Sequence, residues 1–266
     1  MYQTNYHRAS SIDEATAILA GAEDGKFVAG GQTLIPTMKQ RLAAPSDLVD
    51  LRHIGDLKGV SVENGEVRIG AGATHAEVAG DSTLGTVSPA ICHLAAHIGD
   101  PHVRHMGTIG GSIANNDPAA DYPAAMLALS ATVHTSKRDI AADDFFVGLF
   151  ETALEEDELI TAVSFTIPEK AGYAKFPNPA SRYALAGVFV VKRPDGVRVA
   201  VTGAGEDGVF RVAPFEDALS DTFDVSALEG AAVPADGLMS DIHASAEYRA
   251  NLVAVMAKRA VEAANG

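Results

Sequence analysis

Lys26-Phe27-Val28-Ala29-Gly30-Gly31-Gln32-Thr33 runs from a short apolar, strand-like stretch into two adjacent glycines and on into a helical pattern. Gly30 and Gly31 carry no Cβ, so the chain can turn sharply there. Successive backbone N–H groups can then face one anion, and the N-terminus of the following helix adds its positive end. A tight turn with no ligand reads from the same residues, because Gly-Gly is common punctuation. Working outward, Thr33 to Arg41 has helical spacing and Asp47 to Leu51 reads as a buried strand, completing a βαβ-like unit. On the N-terminal side, Ser11 precedes Ile12, Asp13 and Glu14 with capping-box spacing. EATAILAG then forms an amphipathic helix ending at Gly21.

A second glycine pair lies about eighty residues further on, in Thr108-Ile109-Gly110-Gly111-Ser112, and reads as a loop. A run of small polar side chains follows, Ala114-Asn115-Asn116-Asp117-Pro118. Two such loops suit one long dinucleotide, and neither ends in the Lys-Ser/Thr of a triphosphate-hydrolysing loop. Between the two pairs, EVRIGAG from Glu66 reads as a strand, Thr74 to Glu77 as a second capping box, and Pro89 to Ile98 as a helix ending near Gly99-Asp100-Pro101. Asp121-Tyr122-Pro123 opens an apolar helix to about Leu129, and strands follow at Ala131 to Thr135 and Leu159 to Ile167. Pro, Gly and Lys gather at Pro168 to Pro179, which reads as the domain boundary. Beyond it, Tyr183 to Val191 and Val197 to Thr202 read as strands around a Pro194-Asp195-Gly196 turn, and Ser245 to Ala264 as a closing helix.

Composition narrows the function classes. The 266 residues, 47% hydrophobic and 21% charged, are enough for one large domain or two modest ones. A net charge of −15 with no basic cluster argues against nucleic acid. Cys92 is the only cysteine, so an intrachain disulfide is excluded and the thiolates of an iron–sulfur cluster or structural zinc site are missing. Redox chemistry here needs an organic cofactor or another chain. No window of eighteen apolar residues and no basic-then-apolar leader is visible, so the expected compartment is the cytoplasm.

Three patterns compete with the glycine pairs. Gly203-Ala204-Gly205-Glu206-Asp207-Gly208 fits G-x-G-x-x-G, but a strand-like Val209 to Val212 follows it, which makes it a hairpin turn. Gly70-Ala71-Gly72 follows a strand, but His75 holds the third glycine position and the capping box accounts for the segment. His93 and His97 stand four apart beside Cys92, with His102 and His105 beyond. No H-E-x-x-H is present and Pro101 breaks the helix, so no metal site is assigned. The acidic run Glu155 to Glu158 reads as a solvated turn, and no Ser/His/Asp or Cys/His arrangement stands out, so no catalytic side chain is assigned.

The chain resembles the FAD-binding subunits of the xanthine dehydrogenase and aerobic carbon monoxide dehydrogenase group of molybdenum hydroxylases. The resemblance runs through AGGQTLIPTMKQRL (29–42), HVRHMGTIGGSIANNDPAADYPA (102–124), DDFFVGLFETAL (143–154), ELIT (158–161), YAKFPNPASRYA (173–184) and AEYRANLVAVMAKRA (246–260), almost the whole chain. It implies an α+β fold, with a two-part FAD-binding domain of the PCMH type over 1–170, its parts about 1–55 and 56–170. A smaller C-terminal α+β domain, resembling the CO dehydrogenase flavoprotein C-terminal domain, takes 171–266. It implies FAD contacts from Val28, Ala29, Gly30, Gly31, Gln32, Thr33 and Leu34, and from Thr108, Ile109, Gly110, Gly111 and Ser112. Asp121, Ile160 and Lys175 match further FAD-contacting positions, Lys175 near the isoalloxazine or its phosphates. The residues alone also allow Asp121 as a helix N-cap and Ile160 as core.

The same resemblance implies a heterotrimer. A large molybdopterin subunit oxidises the substrate, and a small subunit with [2Fe-2S] clusters passes electrons to FAD on this chain. From there they go to a terminal acceptor, which could be NAD, a quinone or oxygen. Two other readings stand beside it: a stand-alone NADPH-dependent flavin reductase of the same fold group, and a non-catalytic scaffold.

Overall fold

The computed structural model describes residues 1–266. The first layer is a three-stranded parallel sheet of β1 (Asn5–Arg8), β2 (Gly25–Val28) and β3 (Asp47–Asp50), in the order β1-β3-β2, with helices α1 (Ile12–Gly21) and α2 (Leu34–Lys39). Ser11 caps α1 by accepting from the Glu14 N–H, but Glu14 reaches back to the backbone and hydroxyl of Ser10, so the predicted box is shifted by one residue. α2 is shorter than the helix predicted from Thr33 to Arg41. Arg41 adopts a left-handed φ of 62°, which ends it.

The second layer is an antiparallel sheet of β4 (Val60–Glu63), β5 (Glu66–Gly70), β6 (Thr132–Thr135), β7 (Asp139–Ala141) and β10 (Ile160–Thr166), in the order β4-β5-β10-β6-β7. The hairpin β8 (Phe146–Gly148) and β9 (Glu151–Thr152) projects from it. Between β5 and β6 run six helices: α3 (His75–Gly80), α4 (Ser82–Val87), α5 (Pro89–Ala96), α6 (Pro101–Arg104), α7 (Ile109–Asn115) and α8 (Tyr122–Ala128); α9 (Ala142–Phe145) follows β7. Thr74 and Glu77 form a reciprocal capping box on α3, as their spacing predicts. Every residue of α8 is buried, as its unbroken apolar run requires.

The third layer is an antiparallel sheet of β11 (Lys170–Pro177), β12 (Ala184–Arg193), β13 (Gly196–Gly205) and β14 (Gly208–Arg211), with α10 (Ala213–Asp221) and α11 (Ala246–Asn265). In β12, Val188 and Val190 join one core cluster while Phe189 and Val191 join the other, so the strand is apolar on both faces. Within Pro168 to Pro179, the stretch that reads as the domain boundary, Lys170–Pro177 forms an edge strand. Its glycine serves packing: a Cβ on Gly172 would stand 2.0 Å from the Ala260 carbonyl of α11. Gly205 pairs with Gly208 across the β13–β14 turn, so the G-x-G-x-x-G match is a hairpin. No helix is long and apolar enough to cross a membrane.

Candidate functional site

The β2–α2 turn closes against the segment entering α7 because Gly30 has no side chain. A Cβ there would lie 2.0 Å from the Met106 carbonyl oxygen and 2.6 Å from Gly107 Cα. Gly110 is pressed on Ala71 in the same way, though less tightly: a Cβ would come within 2.6 Å of the Ala71 Cβ. Three chain segments therefore meet, and between them opens a cleft of about 720 Å³, within the usual range for small-molecule sites. Its walls take in Val28, Ala29, Gly30, Gly31, Gln32, Thr33, Leu34, Thr108, Gly110, Gly111, Ser112, Asp121 and Ile160. The two glycine pairs share one cavity although about eighty residues separate them.

The two pairs offer different chemistry. Ala29, Gly30, Gly31, Gln32 and Thr33 form five successive residues whose backbone N–H groups reach no acceptor in the protein. Gly31 turns the run with a φ of 67°. Ala29, Gly30 and Gly31 are half-buried while Gln32 and Thr33 are exposed, and a row of free N–H groups lining a cleft is matched by an anionic oxygen cluster such as a diphosphate. The second pair departs from expectation. Thr108 to Ser112 is not a loop but the cap and first turn of α7, with Thr108 accepting from the Gly111 N–H at 3.1 Å. The N–H groups on either side of Gly111 are also engaged: Ile109 donates to Ala73 O (3.0 Å), Gly110 to Ala71 O (2.9 Å) and Ser112 to Thr108 O (3.0 Å). That segment therefore contributes shape and the Ser112 hydroxyl, not a nest of free amides.

Two expected residues lie elsewhere. The Ile109 side chain is fully buried in the main core. Lys175 stands outside the cleft behind Asp121, its Nζ 2.8 Å from Asp121 Oδ1 and donating to the His97 carbonyl. Asp121 is not an N-cap, since its side chain takes no N–H of α8; it accepts from the Tyr173 hydroxyl and the Lys175 ammonium instead. Burial pushes the Asp121 carboxyl up from the ordinary carboxylate range, and Lys175 and Tyr173 oppose that shift. Ile160 is 4% exposed and serves both core and cleft wall.

Sequence reading missed several wall residues. Ala71 and Gly72 form part of the wall, although their segment read only as a lead-in to a capping box. Arg52 lines the cleft in a bidentate pair with the fully buried Asp50. Burial opposes ionisation of Asp50, but hydrogen bonds from Arg52 and Tyr6 bring its pKa down to about 2. His75, 4% exposed, borders the cleft with its ring 5.5 Å from that of Tyr122 and its Nδ1 without a partner. Burial, then the nearby Arg104 charge, lowers its pKa to about 4, so the imidazole is neutral at pH 7. Arg182 and Tyr183 come from the turn before β12. Their signal was chemical type alone, because a cleft built from segments this far apart leaves no local pattern.

A Ser/His/Asp constellation also escaped notice. The His134 ring spans Asp139 Oδ1 (2.7 Å) and Ser164 Oγ (2.8 Å) across β7, β6 and β10. Ser164 is 3% exposed and borders neither the cleft nor the neighbouring groove, so the trio is a cross-strand hydrogen-bond ladder without room for an acyl substrate. His93 and His97 pack with ring centroids 4.2 Å apart and planes tilted by 44°, the His97 Nδ1–H donating to the His93 carbonyl. The acidic run is engaged by cations: Lys137 pairs with Glu155 and Asp157, and Arg138 with Glu158.

A parallel layer whose β2–α2 turn presents a row of free amides, closed by the glycine-bearing first turn of α7, defines a dinucleotide-binding flavoprotein architecture. The model of the FAD binding domain in molybdopterin dehydrogenases matches residues 2–169, and the chain belongs to that family. It is 39% identical over 276 residues to the carbon monoxide dehydrogenase medium chain of Afipia carboxidovorans, covering 98% of this chain and 96% of that one. It is 36% identical over 270 residues to the nicotine 6-hydroxylase medium subunit of Paenarthrobacter nicotinovorans, covering 96% and 95%. The structure of reconstituted CO dehydrogenase from Oligotropha carboxidovorans superposes with a TM-score of 0.88 at 36% identity, covering 98% of this chain and 97% of that chain. The chain is thus an FAD-dependent oxidoreductase subunit of mixed α and β structure.

Proposed function

We propose that this chain is the electron-relaying medium subunit of a three-subunit molybdenum hydroxylase. In this reading it collects electrons from iron–sulfur clusters on a small partner and passes them to a terminal acceptor, while a large molybdopterin subunit oxidises the substrate. The observation that carries it is the row of unpaired N–H groups from Ala29 to Thr33 in a cleft of about 720 Å³. Bound FAD supplies storage for two electrons that arrive singly. The amides of Gly30 to Thr33 hold the diphosphate, the Ser112 hydroxyl adds a donor on the opposite wall, and Leu154 and Ile160 exclude water. Asp121 presents a carboxylate to the cleft, oriented from behind by the Tyr173 hydroxyl and the Lys175 ammonium. Lys175 is a positioning residue here.

The single cysteine supports placing the clusters on another chain. The medium-chain and medium-subunit names of the relatives support large and small partners. Coexpression with large and small subunits of the same family tests the proposal. The expected product is one complex of the three chains, with one FAD per copy of this chain and flavin reduction that depends on the small subunit. Full flavin reduction by this chain with NADPH and no partner would overturn it.

A further inference from the structure

We infer that a groove beside the flavin cleft is a second, anion-binding site, built for a phosphate-type oxyanion. The groove, about 630 Å³, lies between the C-terminal end of α5, the segment 99–104, β11 and the turn before β12. Its charged and imidazole-bearing wall residues are His93, His97, Arg104, Lys175 and Arg182, and no carboxylate lines it. That is unusual in a chain with 35 acidic residues and a net charge of −15.

Arg52, Arg138, Arg193, Arg198, Arg211 and Arg249 each close on a carboxylate. Arg104 and Arg182, like Arg8, Arg41, Arg68 and Arg259, close on none, but only these two meet at one groove. Arg104 Nη1 donates to Ile98 O (3.0 Å) and Gly99 O (3.1 Å), and Arg182 Nη1 donates to the same Gly99 O (3.3 Å). One carbonyl thus holds two guanidiniums side by side, leaving their remaining N–H groups free. Arg182 is held there from a left-handed backbone, φ 65°, its N–H bonded to Asn178 O at 2.8 Å. Of the nearby acids, Asp121 is paired with Lys175, and Asp100 caps α6 through the Val103 N–H. That bond first, and the Arg182 charge with it, hold the Asp100 carboxyl below its ordinary range, but Asp100 and Arg182 do not close into an ion pair and Asp100 does not line the groove. Two like charges fixed together at a groove are stabilised by an oxyanion that accepts from both forks.

Gly99 and Arg182 border both the groove and the flavin cleft, so an anion bound here sits next to the cofactor. Two sources share this chemistry: a free phosphate-type ion, and the diphosphate bridge of a pyridine dinucleotide acceptor. Only the second assignment rests on the electron-relay reading; the anion site itself does not.

The test is calorimetric titration of the FAD-loaded complex, in phosphate-free buffer, with inorganic pyrophosphate and separately with ADP-ribose. Wild type is compared with Arg104→Gln and with His93→Glu, an exposed helix position that brings a carboxylate into the groove. Saturable binding is expected, weakened about tenfold or more in both variants, with flavin content unchanged. ADP-ribose binding well above pyrophosphate supports the site and assigns it to a dinucleotide; equal binding supports it and assigns it to a free anion. Absence of saturable binding to the wild type overturns the inference. So does flavin loss in folded Arg104→Gln, which would make the guanidinium pair part of the FAD site.

Discussion

At Gly30 the backbone has no room for a single methyl group, because Met106 O and Gly107 occupy the place where a Cβ would stand. Gly30→Ala is therefore expected to part the two cleft walls, lowering stability by about 1–3 kcal/mol and weakening FAD binding. Urea denaturation and flavin titration of the variant measure the two effects. His75 provides a pH signature. In the unfolded chain its imidazole takes a proton near 6.5, but in the folded chain only near about 4. The unfolded form therefore binds more protons across that window, and stability falls as pH drops from 6.5 toward 4, by up to about 3 kcal/mol. His75→Gln should flatten that part of the pH–stability curve; an unchanged slope assigns the loss to other groups.

Among the elements, those with a local signature were legible: the Ser11 cap of α1, the Thr74–Glu77 box of α3, the apolar α8 and the C-terminal α11. β11 was not, because its Pro, Gly and Lys read as a domain boundary and not as a strand, and its need for Gly172 exists only once α11 lies across it. The first turn of α7 was missed for a similar reason, since Gly110 and Gly111 disguise a helix start whose cap, Thr108, is otherwise ordinary. Gly172→Ala should push α11 off its strand and lower stability by about 2–3 kcal/mol, read as a shift in the denaturation midpoint. A midpoint within error of wild type would mean that α11 shifts along the strand without cost.

Over the whole molecule, the family resemblance and the two glycine pairs were readable, but the shape of the site was not. Strand order β4-β5-β10-β6-β7 joins segments about ninety residues apart, and no residue announces such pairing. The asymmetry of the cleft was equally hidden. Both pairs look alike as letters, and only the hydrogen-bond partners show that the Ala29–Thr33 amides are free while those of Ile109–Ser112 are engaged. The guanidinium pair at Gly99 O depends on the same kind of long-range meeting.

Amide hydrogen exchange, followed residue by residue by NMR with and without FAD, tests the central claim most directly. The amides of Gly30 to Thr33 should exchange quickly in the free chain and become protected with FAD but not with riboflavin, which lacks the diphosphate. Those of Gly110 to Ser112 should be protected throughout. Equal exchange of Gly30 to Thr33 with and without FAD would contradict the account.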